Sequence, residues 1–250
     1  MTTRPARPTT AIGRSLDVYY RDTARTQRMD ALYRAFVPNG GLVFDIGAHV
    51  GDRTASFLRL GASVIALEPQ PRVFRALRLL HGRSDHAVLL PWAAGRAEGE
   101  ATLHLNTRNP TVATLAQGFI DAAAGAKGWQ GEVWDDRVTV PVTTLDALIA
   151  RYGTPGFIKI DVEGHEADTL SGLSTPVPAL SFEITMIQRA TASACLDRLC
   201  ALAPYRFNLS LGEDHALTSD TWVEGPTMRA RIAALPDAAN SGDVYARLTP

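Results

Sequence analysis

Two cysteines in 250 residues, no apolar run of membrane-spanning length and a formal charge of only -1 set the first limits on this chain. Cys195 and Cys200 fall in one predicted helix at a spacing that puts them on different sides. That suits neither a disulfide framework nor a zinc knuckle, so both read as core thiols. A membrane span would need about 18 consecutive apolar residues, and the chain has no such run. With 25 Lys and Arg against 26 Asp and Glu dispersed along the sequence, there is no basic face to neutralise nucleic-acid phosphates or hold an anionic membrane surface. The first residues are rich in Thr, Pro and Arg and are followed by Asp17, Arg21 and Asp22, not by the apolar stretch of a signal peptide. The expectation is a cytoplasmic protein whose partner is a small molecule or a glycan, with oligomeric state left open.

The dinucleotide fingerprint Gly-x-Gly-x-x-Gly is missing as well. What stands in its place is an alternation of strands and helices. Apolar residues from Leu16 to Phe36 recur at helical spacing until Pro38-Asn39-Gly40-Gly41 ends the pattern. Strands are then predicted at 42–46, 63–67, 87–92, 157–161, 180–184, 205–210 and 243–248, with helices at 52–60, 72–81, 144–151, 166–173, 191–202 and around 227–235. Strands alternating with helices imply a parallel sheet with right-handed crossovers. Residues 1–40 read as a flexible segment followed by helices, and 41–250 as one α/β domain. Two short strands, 101–106 and 137–142, bracket an insertion near 106–136 that carries Phe119, Trp129 and Trp134. Long excursions of this kind are often lids, with 111–115 the expected ordered part.

The segment Val43-Phe44-Asp45-Ile46-Gly47-Ala48-His49-Val50-Gly51 runs a buried strand into a glycine turn and a helix that opens at Asp52. Gly47 and Gly51 allow close approach of backbone to a ligand, and free amides at the helix start would favour an anionic group. One strand later, Ala66-Leu67-Glu68-Pro69 places a carboxylate where sheets of this kind hold a ribose; one carboxylate can accept from both hydroxyls of a vicinal diol.

A third segment departs furthest from its surroundings. Phe157-Ile158-Lys159-Ile160-Asp161-Val162-Glu163-Gly164-His165-Glu166 drives a lysine and several carboxylates into what reads as a buried strand. Unpaired, each such charge would cost several kcal/mol. Alternation puts Lys159 and Asp161 on one face, opposite Ile158 and Ile160. The expectation is that Lys159 pairs with Glu183 on the neighbouring strand and pre-positions Asp161. Glu163, Gly164 and His165 then form a turn facing a second substrate, with Asp161 or His165 orienting or deprotonating it.

These three segments resemble the FkbM family of class I S-adenosylmethionine-dependent methyltransferases, the third most specifically. Pro91-Trp92-Ala93-Ala94-Gly95, Gly99-Glu100-Ala101-Thr102-Leu103 and Ser181-Phe182-Glu183-Ile184 add to the likeness, which covers roughly 42–183. The resemblance implies a Rossmann-like seven-stranded sheet, mostly parallel with the last strand antiparallel and helices on both faces. It implies S-adenosylmethionine as cofactor and methyl transfer to a hydroxyl of a sugar, glycan or natural-product small molecule. The candidate cofactor set is Asp45, Gly47, Ala48, Gly51, Thr54, Glu68, Pro69, Ala93 and Asp161; the candidate catalytic set is Asp161, His165, Glu163 and Lys159. Thr185 stands where the family often has histidine, so no role passes to it. No metal site is assigned: a divalent cation on Asp161, Glu163 and His165 is compatible with the oxygen-rich set but not required by it. A nucleotide-dependent oxidoreductase and a non-catalytic cofactor-binding protein are the alternatives.

Overall fold

The computed structural model describes residues 11–249. The flexible start expected within 1–10 lies outside the described residues. In chain order the elements are α1 (Ala11–Tyr20), α2 (Thr23–Tyr33), β1 (Leu42–Ile46), α3 (Asp52–Arg59), β2 (Ser63–Leu67), α4 (Pro71–His81), β3 (Ala87–Leu90), β4 (Ala93–Ala94), β5 (Gly99–Leu105), α5 (Gln117–Ala123), β6 (Asp136–Thr143), α6 (Leu145–Tyr152), β7 (Phe157–Ile160), α7 (Glu166–Ser171), β8 (Ala179–Thr185), α8 (Arg189–Leu202), β9 (Tyr205–Leu211), α9 (Gly225–Ala234) and β10 (Ser241–Leu248).

Seven strands form one sheet in the order β3-β2-β1-β7-β8-β10-β9, and β10 is antiparallel to both its neighbours. The fold is therefore the Rossmann-like mixed sheet that the resemblance implied. Strand order reverses between β1 and β7, the switch point outside which sheets of this type bind ligands. β7 is buried along its whole length, which explains its apolar residues and makes Lys159 the exception.

Two apolar layers clamp the sheet. Phe44, Ile46, Ile158, Ile160, Phe182 and Val244 face α8 and α9 residues such as Leu196, Leu199 and Met228. On the other side Val43, Val64 and Phe157 meet Met29 and Tyr33 of α2 and Phe57 of α3, with Tyr33, Phe57 and Phe157 in mutual ring contact. The helices start where local chemistry permits: the Thr144 hydroxyl caps α6 by accepting from the Ala147 amide, and Pro71 opens α4 where an amide would lack a partner.

Three expectations change. The strand expected at 87–92 ends at Leu90, because the chain then leaves the large sheet and Ala93 pairs with Val142 in a second, three-stranded sheet of β4, β6 and β5. Cys195 is buried with Leu196 and Leu199, but Cys200 is exposed, since its place on α8 turns it away from the sheet. The insertion is folded: Phe119 of α5 is fully buried, with Trp129 and Trp134 edge-on to it at 5.1 and 6.1 Å.

Candidate active site

A cavity of about 980 Å³, counting its solvent-open mouth, lies over the carboxyl ends of β1, β2 and β7. Its wall begins with the glycine turn. Gly47 has φ +84°, and a β-carbon there would lie 1.8 Å from the Asp161 carbonyl oxygen, so only glycine lets the turn cross the end of β7. His49 also adopts a left-handed conformation, φ +49°, and its amide donates to Glu68 Oε2 at 2.9 Å. The Gln70 amide donates to Glu68 Oε1 at 2.8 Å. Each oxygen of this carboxylate keeps a further lone pair for a ligand hydroxyl. Burial pushes the Glu68 carboxyl up to about 7 despite those two bonds, and pushes Asp45 up to about 6 although the Thr54 hydroxyl donates to it at 2.5 Å.

Four amides of the turn before α3 are already taken. The amides of Gly47 and Ala48 donate to the Leu67 carbonyl, that of Gly51 donates to Ala48, and that of His49 is taken by Glu68, because the turn folds tightly onto β2. Asp52 adds a buried carboxylate at the start of α3.

Of the candidate cofactor residues, Asp45, Gly47, Ala48, Glu68, Pro69, Ala93 and Asp161 line the cavity together. Gly51 does not; it gives room to the side chains of Leu77 and His81. Thr54 acts one step back, through Asp45. Trp92 lines the cavity, whereas Trp129 packs on Phe119.

The four candidate catalytic residues all reach the same cavity. Lys159 is 1 % exposed, and its ammonium donates to Asp243 Oδ1 at 2.8 Å and to Asp161 Oδ2 at 3.2 Å. The expected pairing with Glu183 is thus corrected. Ser181, a small residue, is the register partner of Lys159 on β8, and the long side chain passes over that strand to Asp243 on β10. Burial alone would lower the lysine's pKa, but Asp161 and Asp243 outweigh it and hold the group cationic. The missed residue carried a signal of the same kind as Lys159: Asp243 interrupts a final strand that continues Val244-Tyr245-Ala246.

Asp161, Glu163 and Glu183 bring one carboxylate oxygen apiece within 4.8 Å of one another. Burial, then the Asp161 charge, push Glu163 and Glu183 well above the ordinary carboxylate range. His165 stands outside this trio. Its Nδ1 faces Asp168 at 3.7 Å, and burial lowers its pKa, leaving a neutral imidazole at the cavity wall. Glu166 is structural: its Oε1 accepts the amides of Val162 and Gly164 and shapes the turn, in which Glu163 and Gly164 both take positive φ.

The mouth is built from segments whose role the sequence did not disclose. Tyr19 of α1 lies over the guanidinium groups of Arg25 and Arg53 at 5.1 and 5.8 Å. Arg53 bridges Asp52 at 2.6 Å and Glu213 at 2.9 Å, and Arg25 reaches both acids as well. Tyr19, Arg53 and Glu213 line the cavity, so a helix from 1–40 and the loop after β9 complete the site. From the insertion come Thr111, Ala113 and Leu115, as expected, and the Thr114 hydroxyl fastens it by donating to the Glu163 carbonyl at 2.6 Å. His49, also on the wall, has a ring Nε2 with no hydrogen-bond partner among the described residues; burial lowers its pKa to about 4.

A family model for the methyltransferase FkbM domain matches residues 45–196. Among curated proteins, hexuronic acid methyltransferase AglP of Haloferax volcanii is 24% identical over 149 residues, covering 58% of this chain and 55% of that protein. The chain thus matches about half the length of this relative. Among solved structures, the O-methyltransferase from Bacillus cereus in complex with SAH aligns over 98% of this chain and 93% of its own, with 11% identity and a TM-score of 0.49. The O-methyltransferase TomG from Streptomyces achromogenes, in complex with SAM, aligns over 97% and 88%, with 7% identity and a TM-score of 0.43.

Proposed function

The chain belongs to the methyltransferase FkbM-domain family, and we propose that it transfers a methyl group from S-adenosylmethionine to a hydroxyl of a sugar or glycan. The observation that carries this reading is the convergence of Glu68 and Asp161 on one cavity over the switch point of the sheet. Seven carboxyl groups line the cavity, Asp45, Asp52, Glu68, Asp161, Glu163, Glu183 and Glu213, with Lys159 and Arg53 as the lysine and arginine of the same lining. The Asp161 carboxylate at the cavity wall suits a cationic donor, and the two free lone pairs of Glu68 suit its ribose diol. The donor would be held by Glu68, Pro69, Gly47, Ala48 and Ala93, and when bound it supplies an electrophilic methyl carbon.

The chain's own residues supply the rest. Asp161, its side chain 29% exposed while Lys159 is 1%, presents a carboxylate to the cavity from a rigid strand end. That carboxylate orients an acceptor hydroxyl and takes its proton; His165 offers a neutral imidazole as a second acceptor for it. Insertion residues 111–115 and Tyr19 of α1 shield the reacting atoms from water. Acceptor choice falls to the insertion, α1 and the loop after β9, none of which belongs to the Asp45–Glu68 wall. AglP, whose own substrate is a hexuronic acid, makes uronic-acid-containing glycans the first to try.

The test has two arms. Calorimetry should show S-adenosylhomocysteine binding to the purified chain, with NAD giving no heat. Mass spectrometry of a panel of neutral, amino and uronic acid glycosides incubated with S-adenosylmethionine should show a product heavier by one methyl. Binding of NAD in place of S-adenosylhomocysteine would favour the oxidoreductase alternative and reject this reading.

A further inference from the structure

Asp243 lies beyond the residues matched by the family model, yet it makes the shortest contact to the buried lysine of the site, 2.8 Å against 3.2 Å for Asp161. The two carboxylates differ in environment. The Asp243 side chain is 10% exposed and does not line the cavity; that of Asp161 is 29% exposed and does. One ammonium therefore stands between an inner and an outer carboxylate, and the trio carries a surplus negative charge at its cavity end.

We infer that Asp243 is a positioning residue for Asp161: by occupying the inner side of Lys159 it keeps Asp161 at the cavity wall with its charge only half compensated. Without it the ammonium would have Asp161 as its single carboxylate partner. The outer carboxylate would then be drawn onto Lys159 and its negative charge cancelled, leaving less for an acceptor proton. The other groups facing the lysine do not take over this role. Asp45 is its register partner on β1 but is held by Thr54; Ser181 on β8 and Tyr33 carry no carboxylate; Arg53 is a cation; and Glu183, pushed well above the usual carboxylate range by burial, makes no ion pair with the ammonium among the described residues. The Lys159 ammonium has one more acceptor, the Ile160 carbonyl at 3.4 Å, which carries no charge.

This inference rests on the methyl-transfer reading, and the experiment separates the two. Wild type, Asp243→Asn, Asp243→Glu and the double variant Lys159→Met/Asp243→Leu are compared for S-adenosylhomocysteine affinity, thermal midpoint, and kcat and KM with the glycoside that wild type methylates best. Asp243→Asn should keep donor-product affinity and acceptor KM within about twofold while kcat falls about 10-fold or more, a fraction of what a general base contributes. Asp243→Glu should recover most of that loss. The double variant replaces both ions by apolar side chains and should regain the stability lost in Asp243→Asn, as buried pairs replaced by apolar residues often do; with no ammonium left to draw Asp161 inward, its kcat should rise above that of Asp243→Asn. Full kcat in Asp243→Asn, or a double variant no faster than Asp243→Asn, would overturn the inference. Should wild type methylate nothing in the panel, the methyl-transfer reading fails, and crystal structures with S-adenosylhomocysteine still decide this point. Asp161 should have moved off the cavity wall onto Lys159 in Asp243→Asn, and an unmoved Asp161 rejects the role.

Discussion

Gly47 and Asp161 are in such close approach that a β-carbon on the glycine would sit 1.8 Å from the aspartate's carbonyl oxygen. The turn that follows β1 and the residue that ends β7 are thus one unit, tied further by the Asp161 amide donating to the Ile46 carbonyl at 2.9 Å. Gly47→Ala must displace backbone on both strands and also strains a residue at φ +84°. Its S-adenosylhomocysteine affinity is expected to fall by about 100-fold or more, with a loss of about 2 kcal/mol or more in urea unfolding. Calorimetry at unchanged affinity would contradict this coupling.

Asp161→Asn keeps the shape of the side chain and removes its charge. Donor-product binding should stay within a few-fold of wild type, because Glu68 and the glycine turn are untouched, while kcat falls about 100-fold or more. Single-turnover rates distinguish the chemical step from release. A kcat equal to wild type would remove Asp161 from the chemistry and leave His165 as the base.

Glu68 gives the pH dependence a definite sign. Its carboxyl titrates near 4.5 when unfolded and about 7 in the folded chain, with burial as the cause. Between those values the folded state binds the extra proton, so the stability contributed is complete below about pH 4.5 and disappears as pH rises through about 7. Urea unfolding of ligand-free wild type and Glu68→Gln at pH 4.5 and pH 8 should show wild type losing about 3 kcal/mol more than the variant across that interval. His49, shifted downward, acts in the opposite sense below about 6.5 but is present in both proteins and cancels in the difference. Parallel curves for the two proteins would show that Glu68 does not titrate as its burial requires.

Thr114 is the point where the insertion is fastened to the catalytic turn, through its hydroxyl and the Glu163 carbonyl at 2.6 Å. Thr114→Val keeps the volume and removes this bond together with the one its hydroxyl accepts from the Ala116 amide at 2.8 Å. Acceptor KM should rise about fivefold, in line with roughly 1 kcal/mol for the bond that ties the insertion to the Glu163 turn, while S-adenosylhomocysteine affinity stays as in wild type. A loss confined to donor affinity would assign residues 111–115 to the cofactor and not to the acceptor.

The strand and helix alternation, the glycine turn, Glu68 and the charged strand end were all legible in the residues, because each is a local pattern: periodicity, a glycine needing positive φ, or a charge where burial forbids an unpaired one. Strand boundaries near 91–94 were not, since the chain there changes sheets, and only the pairing of Ala93 with Val142 marks the change. Cys200 was misread for a related reason: helical spacing separates two side chains but does not say which of them faces the sheet.

What the sequence determined by itself was the need for a partner to Lys159, since a lysine in a buried strand has no stable alternative. Which carboxylate answers that need was decided only by the tertiary structure. The order β7-β8-β10 places a small serine between the lysine and Asp243, and strand order depends on crossovers and packing that no local pattern records. The same holds for the cavity mouth: Tyr19, Arg53 and Glu213 come from three distant segments, and their meeting is a property of how those segments pack.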